Sequence, residues 1–155
     1  FVGAGDMARA NQVISSGLIV AISYSGLLAI LFLAFRMDLV DVFSTPGEDF
    51  EEIRTLAGNM MFGLVTYMVA DAVILICGGA LRGAGDTRWI MLTSISVHWA
   101  MLVVQYFAII VMDWDPLVSW WVFVAMLLVL AALYLARLLG AKWRQPERLA
   151  RVMQD

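Results

Sequence analysis

Asp71 is the one charged residue in the 27-residue run from Thr55 to Leu81. A carboxylate at mid-membrane depth costs about 2.5–3.5 kcal/mol on insertion scales, so such a group normally faces a bundle interior or a wet cavity. Two kinds of chemistry suit it there. It can exchange a proton, or it can stay ionised against a cation such as sodium, helped by hard oxygen ligands from neighbouring helices. The structural alternative is a carboxylate satisfied by a partner helix. At helical steps of three, four and seven from Asp71 stand Leu64, Tyr67, Ile74, Leu75 and Gly78. Tyr67 is one turn away, and its hydroxyl could hydrogen-bond the carboxyl group.

Three further polar residues fall in apolar surroundings. Asn59 lies about 120° around the helix from Asp71, so it need not share that site and reads as glue between helices. His98 and Gln105 are seven residues apart and share a helix face. An intramembrane His could relay protons, and interhelical hydrogen bonding is the plainer expectation for both.

The stretch from Gly79 to Asp86 superficially suggests a nucleotide loop. It does not fit G-x-G-x-x-G, it follows an apolar helix and not a strand, and it lacks a P-loop Lys. A tight helix-to-helix turn fits better. Gly83 and Gly85 can supply left-handed backbone angles, and Asp86 or Thr87 can cap the next helix. Gly79 and Gly83 also form a small-xxx-small pair suited to close helix approach. Arg82 and Arg88 then stand at headgroup level.

The elements that must position these residues follow from composition. The chain has 155 residues, 63% of them hydrophobic and 15% charged, with a mean hydropathy of +0.87. A soluble domain keeps roughly a quarter of its residues charged. An all-α polytopic membrane protein is expected, because lipid leaves helices as the only way to satisfy such apolar runs. Four stretches reach the roughly 20 residues that a span requires: about 13–35, 55–81, 89–112 and 116–139. Residues 1–12 then read as a cytoplasmic loop and 140–155 as a basic cytoplasmic tail. The chain begins with Phe and reads as a segment of something longer.

Charge sets the expected orientation. Arg9, Arg82, Arg88, Arg137, Lys142, Arg144, Arg148 and Arg151 fall on one side of the four spans, and only Arg36 and Arg54 on the other. The positive-inside rule puts the larger group, and both ends, in the cytoplasm. In the first outer loop Thr45, Pro46 and Glu48 resemble a capping box. A helix from there to Leu81 would run about 54 Å and either project from the bilayer or break near Gly58 or Gly63. Trp143 reads as a headgroup anchor of the tail. Cys77, the single cysteine, reads as a small packing residue.

The run Gly78-Gly79-Ala80-Leu81-Arg82-Gly83-Ala84-Gly85-Asp86-Thr87-Arg88 resembles the G-x-L-R-G-x-G-D-T-[RK] turn of the MATE (multidrug and toxic compound extrusion) transporters. In that family the turn joins the tenth and eleventh of twelve helices on the cytoplasmic side. Val2-Gly3-Ala4-Gly5-Asp6-Met7-Ala8-Arg9-Ala10 is similar, with altered spacing, to the family's loop between helices eight and nine. The resemblance implies that the four spans are helices nine to twelve of a twelve-helix, two-lobe transporter whose cavity opens alternately to each side. It places Asp71 at the acidic position of helix ten that one branch uses for a coupling cation, with a partner carboxylate on helix seven, outside these spans. Another branch couples protons mainly through the N-terminal lobe, so sodium and proton both remain open.

The implied function is a cation-coupled multidrug efflux antiporter of the inner membrane. Its partners would be small organic, often cationic substrates, the bilayer and the missing N-terminal lobe, with no cofactor and no nucleic acid. Alternatives are a flippase for lipid-linked sugars and a non-transporting four-helix scaffold. An enzyme is not expected: the sequence holds no H-E-x-x-H, G-x-S-x-G or paired-carboxylate constellation.

Overall fold

Every long apolar run becomes a helix. The structure, a computed structural model, describes residues 6–43, 50–140 and 143. In chain order the helices are α1 (Met7–Ala34), the short α2 (Arg36–Asp41), α3 (Phe50–Gly83), α4 (Thr87–Tyr106), which continues into a π-helical turn (Phe107–Val111), and α5 (Pro116–Leu139). Among the described residues, four segments are long and apolar enough to cross a membrane: Met7–Ala34, Phe50–Gly83, Thr87–Val111 and Pro116–Leu139. They match the four predicted spans. The chain is a multi-pass membrane protein.

Helix starts are set by side chains. Asp6 accepts from the Arg9 amide at 3.1 Å and opens α1. Asp115 accepts from the Leu117 amide at 2.7 Å, with Pro116 in the first turn where its missing N–H costs nothing. α3 runs unbroken through Gly58 and Gly63, 34 residues in all, or about 51 Å. Gly58 instead receives the Met37 side chain from α2, whose sulfur would stand 2.9 Å from a Cβ there. The capping box at Thr45, Pro46 and Glu48, the motif residues 2–5 and the tail cations Lys142, Arg144, Arg148 and Arg151 lie outside the described residues.

α3 is the central element, packed against α1 on one side and α5 on the other, with α4 lying against α5. In lipid, helices associate through close packing and interhelical hydrogen bonds more than through hydrophobic burial. Small residues in α3 provide that packing. At Gly63 a Cβ would meet the Trp120 indole, with Cδ1 at 2.9 Å, and Trp120 Nε1 donates to the Met60 carbonyl at 2.9 Å. At Gly78 the Tyr134 ring closes to 3.2 Å of a Cβ position. Gly79 and Gly83, the predicted small-xxx-small pair, have nothing within 4 Å of a Cβ position. The close-approach glycines are Gly58, against Met37 of α2, and Gly63 and Gly78, against aromatic side chains of α5; Gly78 is the immediate neighbour of Gly79.

The core gathers at the end where α3 meets α4. Cys77, Leu81, Ala84, Ile90, Leu130, Tyr134, Leu138 and Trp143 form one buried cluster. Cys77 is fully buried, as its packing role requires. Trp143 corrects the expected headgroup anchor: it is 1% exposed and donates to the Leu138 carbonyl at 2.6 Å, so it folds back onto the end of α5.

Candidate functional site

α3 carries Asp71 twelve residues before its end, about 18 Å from the α3–α4 turn. The α1–α3 contact leaves a groove of about 320 Å³, lined among others by Ala21, Tyr24, Ser25, Tyr67, Asp71 and Ile76. Tyr67 and Asp71 thus reach the same groove, as their spacing predicted. The predicted hydrogen bond between them is not formed. Tyr67 turns its ring toward Phe123 of α5, centroids 6.2 Å apart, and Asp71 has neither a hydrogen bond nor an ion pair among the described residues. The half-buried carboxylate is therefore not the structural one satisfied by a partner helix within these four spans.

Two groove residues escaped sequence reasoning. Tyr24 and Ser25 of α1 line the groove together with Asp71. Ser25 is buried and donates to the Ile22 carbonyl at 3.3 Å. The available signal was the run Ser23-Tyr24-Ser25 in the middle of an uncharged span whose other serines, Ser15 and Ser16, lie near its start. Tyr24, Ser25, Tyr67 and Asp71 thus line one groove, and hydroxyl and carboxylate oxygens are of the hard type that sodium takes. No cluster of three His, Cys, Asp or Glu side chains exists among the described residues.

The other predicted polar residues go elsewhere. Asn59 is exposed and bonds to none of the described residues, so it is not glue between these helices. His98 is exposed and bonds its own helix, Nδ1 to the Ser94 carbonyl at 2.7 Å; the expected interhelical bond is absent because α4 points that face outward. Gln105 does bridge helices, donating through Nε2 to the Ser119 carbonyl of α5 at 2.7 Å. His98 and Gln105 therefore do not act together.

The glycine turn is a turn, with one reassignment. Gly85 has φ +77°, the left-handed angle. The Asp86 amide donates to the Leu81 carbonyl and the Gly85 amide to the Arg82 carbonyl, both at 2.9 Å, which is the Schellman pattern. Gly83 stays helical as the last residue of α3. Asp86 occupies the N-cap position of α4 without a side-chain capping bond. Its carboxylate goes instead to Arg137 of α5, which donates through Nε to Oδ2 at 2.7 Å; the Asp86 side chain is buried and the Arg137 side chain mostly so. The guanidinium also lies 5.0 Å from the centroid of the Trp89 ring. Thr87 starts α4.

The MatE family profile matches residues 1–107. The chain belongs to the MATE family. Similar MATE proteins include the probable multidrug resistance protein NorM of Pasteurella multocida, 29% identical over 100 residues covering 64% of this chain and 21% of the relative. The multidrug resistance protein NorM of Photobacterium profundum is 27% identical over 113 residues, 73% of this chain and 24% of its own length. The probable NorM of Shewanella oneidensis is 30% identical over 97 residues, 62% and 20%. The matched region thus spans about a fifth to a quarter of the curated relatives' length. No solved structure matches the chain.

Proposed function

We propose that this chain is the C-terminal part, helices nine to twelve, of a cation-coupled efflux antiporter that exports small organic, often cationic compounds. The supporting observation is Asp71: a carboxylate without a partner in these spans, in a groove with the hydroxyl-bearing Tyr24, Ser25 and Tyr67, in a chain whose relatives are named as multidrug resistance proteins. The coupling ion is sodium or a proton, held at Asp71 with Tyr67 as a weaker contributor. Coupling requires that the ion bind the two access states with different affinity, since an ion bound equally well in both shifts nothing.

In this reading the eight-to-two division of basic residues puts both ends of the segment in the cytoplasm. The N-terminal lobe of the same protein supplies the other wall of the substrate cavity. The test is ethidium efflux from cells expressing the full-length protein with Asp71→Asn. Transport and ion dependence should both collapse while surface expression holds; wild-type behaviour would remove Asp71 from the mechanism.

A further inference from the structure

A second cavity, of about 300 Å³, opens where α3 ends and α4 begins. Arg82, Thr87, Ser94 and Tyr134 give it a polar side, and Met91 and Ile95 an apolar one. The groove at Asp71 has only one charged group in its wall, a carboxylate; here the charged group is a cation.

Arg82 is an exposed basic residue in the last turn of α3, where a helical side chain leans over the residue four before it. The Arg82 guanidinium folds back along α3, so that Nη2 stands 3.6 Å from a Cβ position on Gly78, four residues nearer the middle of the span. Arg82 has no carboxylate partner among the described residues; the nearby acid in the turn, Asp86, is held by Arg137 at 2.7 Å. From the mouth of the cavity, Met91 and Ile95 lead along α4 with 53% and 50% exposure. A cation and a hydroxyl where α3 ends and α4 begins therefore adjoin an open apolar lane along α4.

We propose that this cavity holds an anionic phospholipid, with its phosphate on Arg82 and the Thr87 hydroxyl and one acyl chain along Met91 and Ile95. A guanidinium offers a phosphate several donors in one plane, and basic pockets beside spans recognise lipid headgroups in this way. A free phosphate would use the mouth and leave the lane empty. The lipid would brace the α3–α4 turn from the membrane side, opposite the Asp86–Arg137 pair. This inference does not depend on the transport reading.

The test uses the full-length protein in neutral detergent, with bound lipid counted by native mass spectrometry during titration with dioleoylphosphatidylglycerol or dioleoylphosphatidylcholine. The phosphatidylglycerol should be retained in preference. Arg82→Gln should weaken it about fivefold, the effect of one basic group near a membrane surface, and Arg82→Lys should keep most of the binding. Arg88→Gln removes an exposed charge of the same turn that does not line the cavity, and should leave retention unchanged. Equal losses from Arg82→Gln and Arg88→Gln would reduce the effect to diffuse charge and overturn the proposal. Equal retention of the two lipids, or displacement of phosphatidylglycerol by inorganic phosphate at matched concentration, would overturn it as well.

Discussion

Asp86 and Arg137, 51 residues apart in the chain, meet at 2.7 Å, with the Asp86 side chain buried and the Arg137 side chain 12% exposed. The pair ties the α3–α4 turn to the last turn of α5. Removing one member of a buried ion pair strands the other charge, at a cost of about 3–5 kcal/mol, whereas replacing both by apolar groups is far better tolerated. Asp86→Ala and Arg137→Met should each lower the thermal midpoint of the full-length protein in detergent by several degrees. The double variant should recover part of that loss, and a double-mutant cycle that proves additive would show the contact to be energetically idle.

Gly63 should tolerate no larger residue. A Cβ there would strike the Trp120 ring, whose Nε1 donates across the α3–α5 contact to Met60. Gly63→Ala should destabilise by about 1–3 kcal/mol, the range for overpacking a tight junction. In a Trp120→Leu background the same substitution should cost much less. Equal penalties in the two backgrounds would place the problem in the α3 backbone instead.

Two glycines of the same turn should respond oppositely to alanine. Gly85→Ala puts a Cβ at φ +77° and should cost about 1–2 kcal/mol. Gly83 is helical with open space around its Cβ position, so Gly83→Ala should be neutral or stabilise by up to about 1 kcal/mol. Thermal unfolding of the two variants side by side measures the contrast.

The junction of α2 and α3 carries an acid-sensitive tie. Arg54 grips Asp41 through two hydrogen bonds, at 2.6 and 2.9 Å, and chiefly through those bonds holds the Asp41 carboxyl below its usual range. A depressed carboxylate contributes stability above its unfolded pKa of about 3.9, and that contribution is lost as pH falls through the lower folded value. Amide exchange in α2 should therefore be insensitive to this group from neutral pH down to about 5, and opening should rise below about 4. Asp41→Asn should abolish that acid step. Because the pair is partly exposed, salt should weaken it as well.

The fold was legible because it rests on patterns that sequence carries directly. Apolar runs of span length gave four helices, although the first two begin earlier than the apolar runs, at Met7 and Phe50, and the turn announced itself through Gly85. The site was legible only in part. Helical spacing put Tyr67 and Asp71 in one groove, but α1 lines it too, and nothing local says that Ser25 will share it with Asp71. Partner choice was the least visible. Asp86 reads as a cap by position, and its capture by Arg137 depends on how α5 lies against the turn. Gly79 looked like a packing glycine by spacing and Gly78 did not, because only the placement of Tyr134 decides between neighbours in one helix.

Cys77 lies at the centre of the buried cluster, sealed among Leu81, Tyr134 and Leu138, with no exposed surface. A thiol so placed is out of reach of maleimide reagents while the helices stay packed. Probes attached to a cysteine introduced at Tyr24, on the exposed side of α1, would then report from the groove without removal of this chain's own cysteine. The same burial makes Cys77 a sentinel, because its labelling would begin only when α3 and α5 separate.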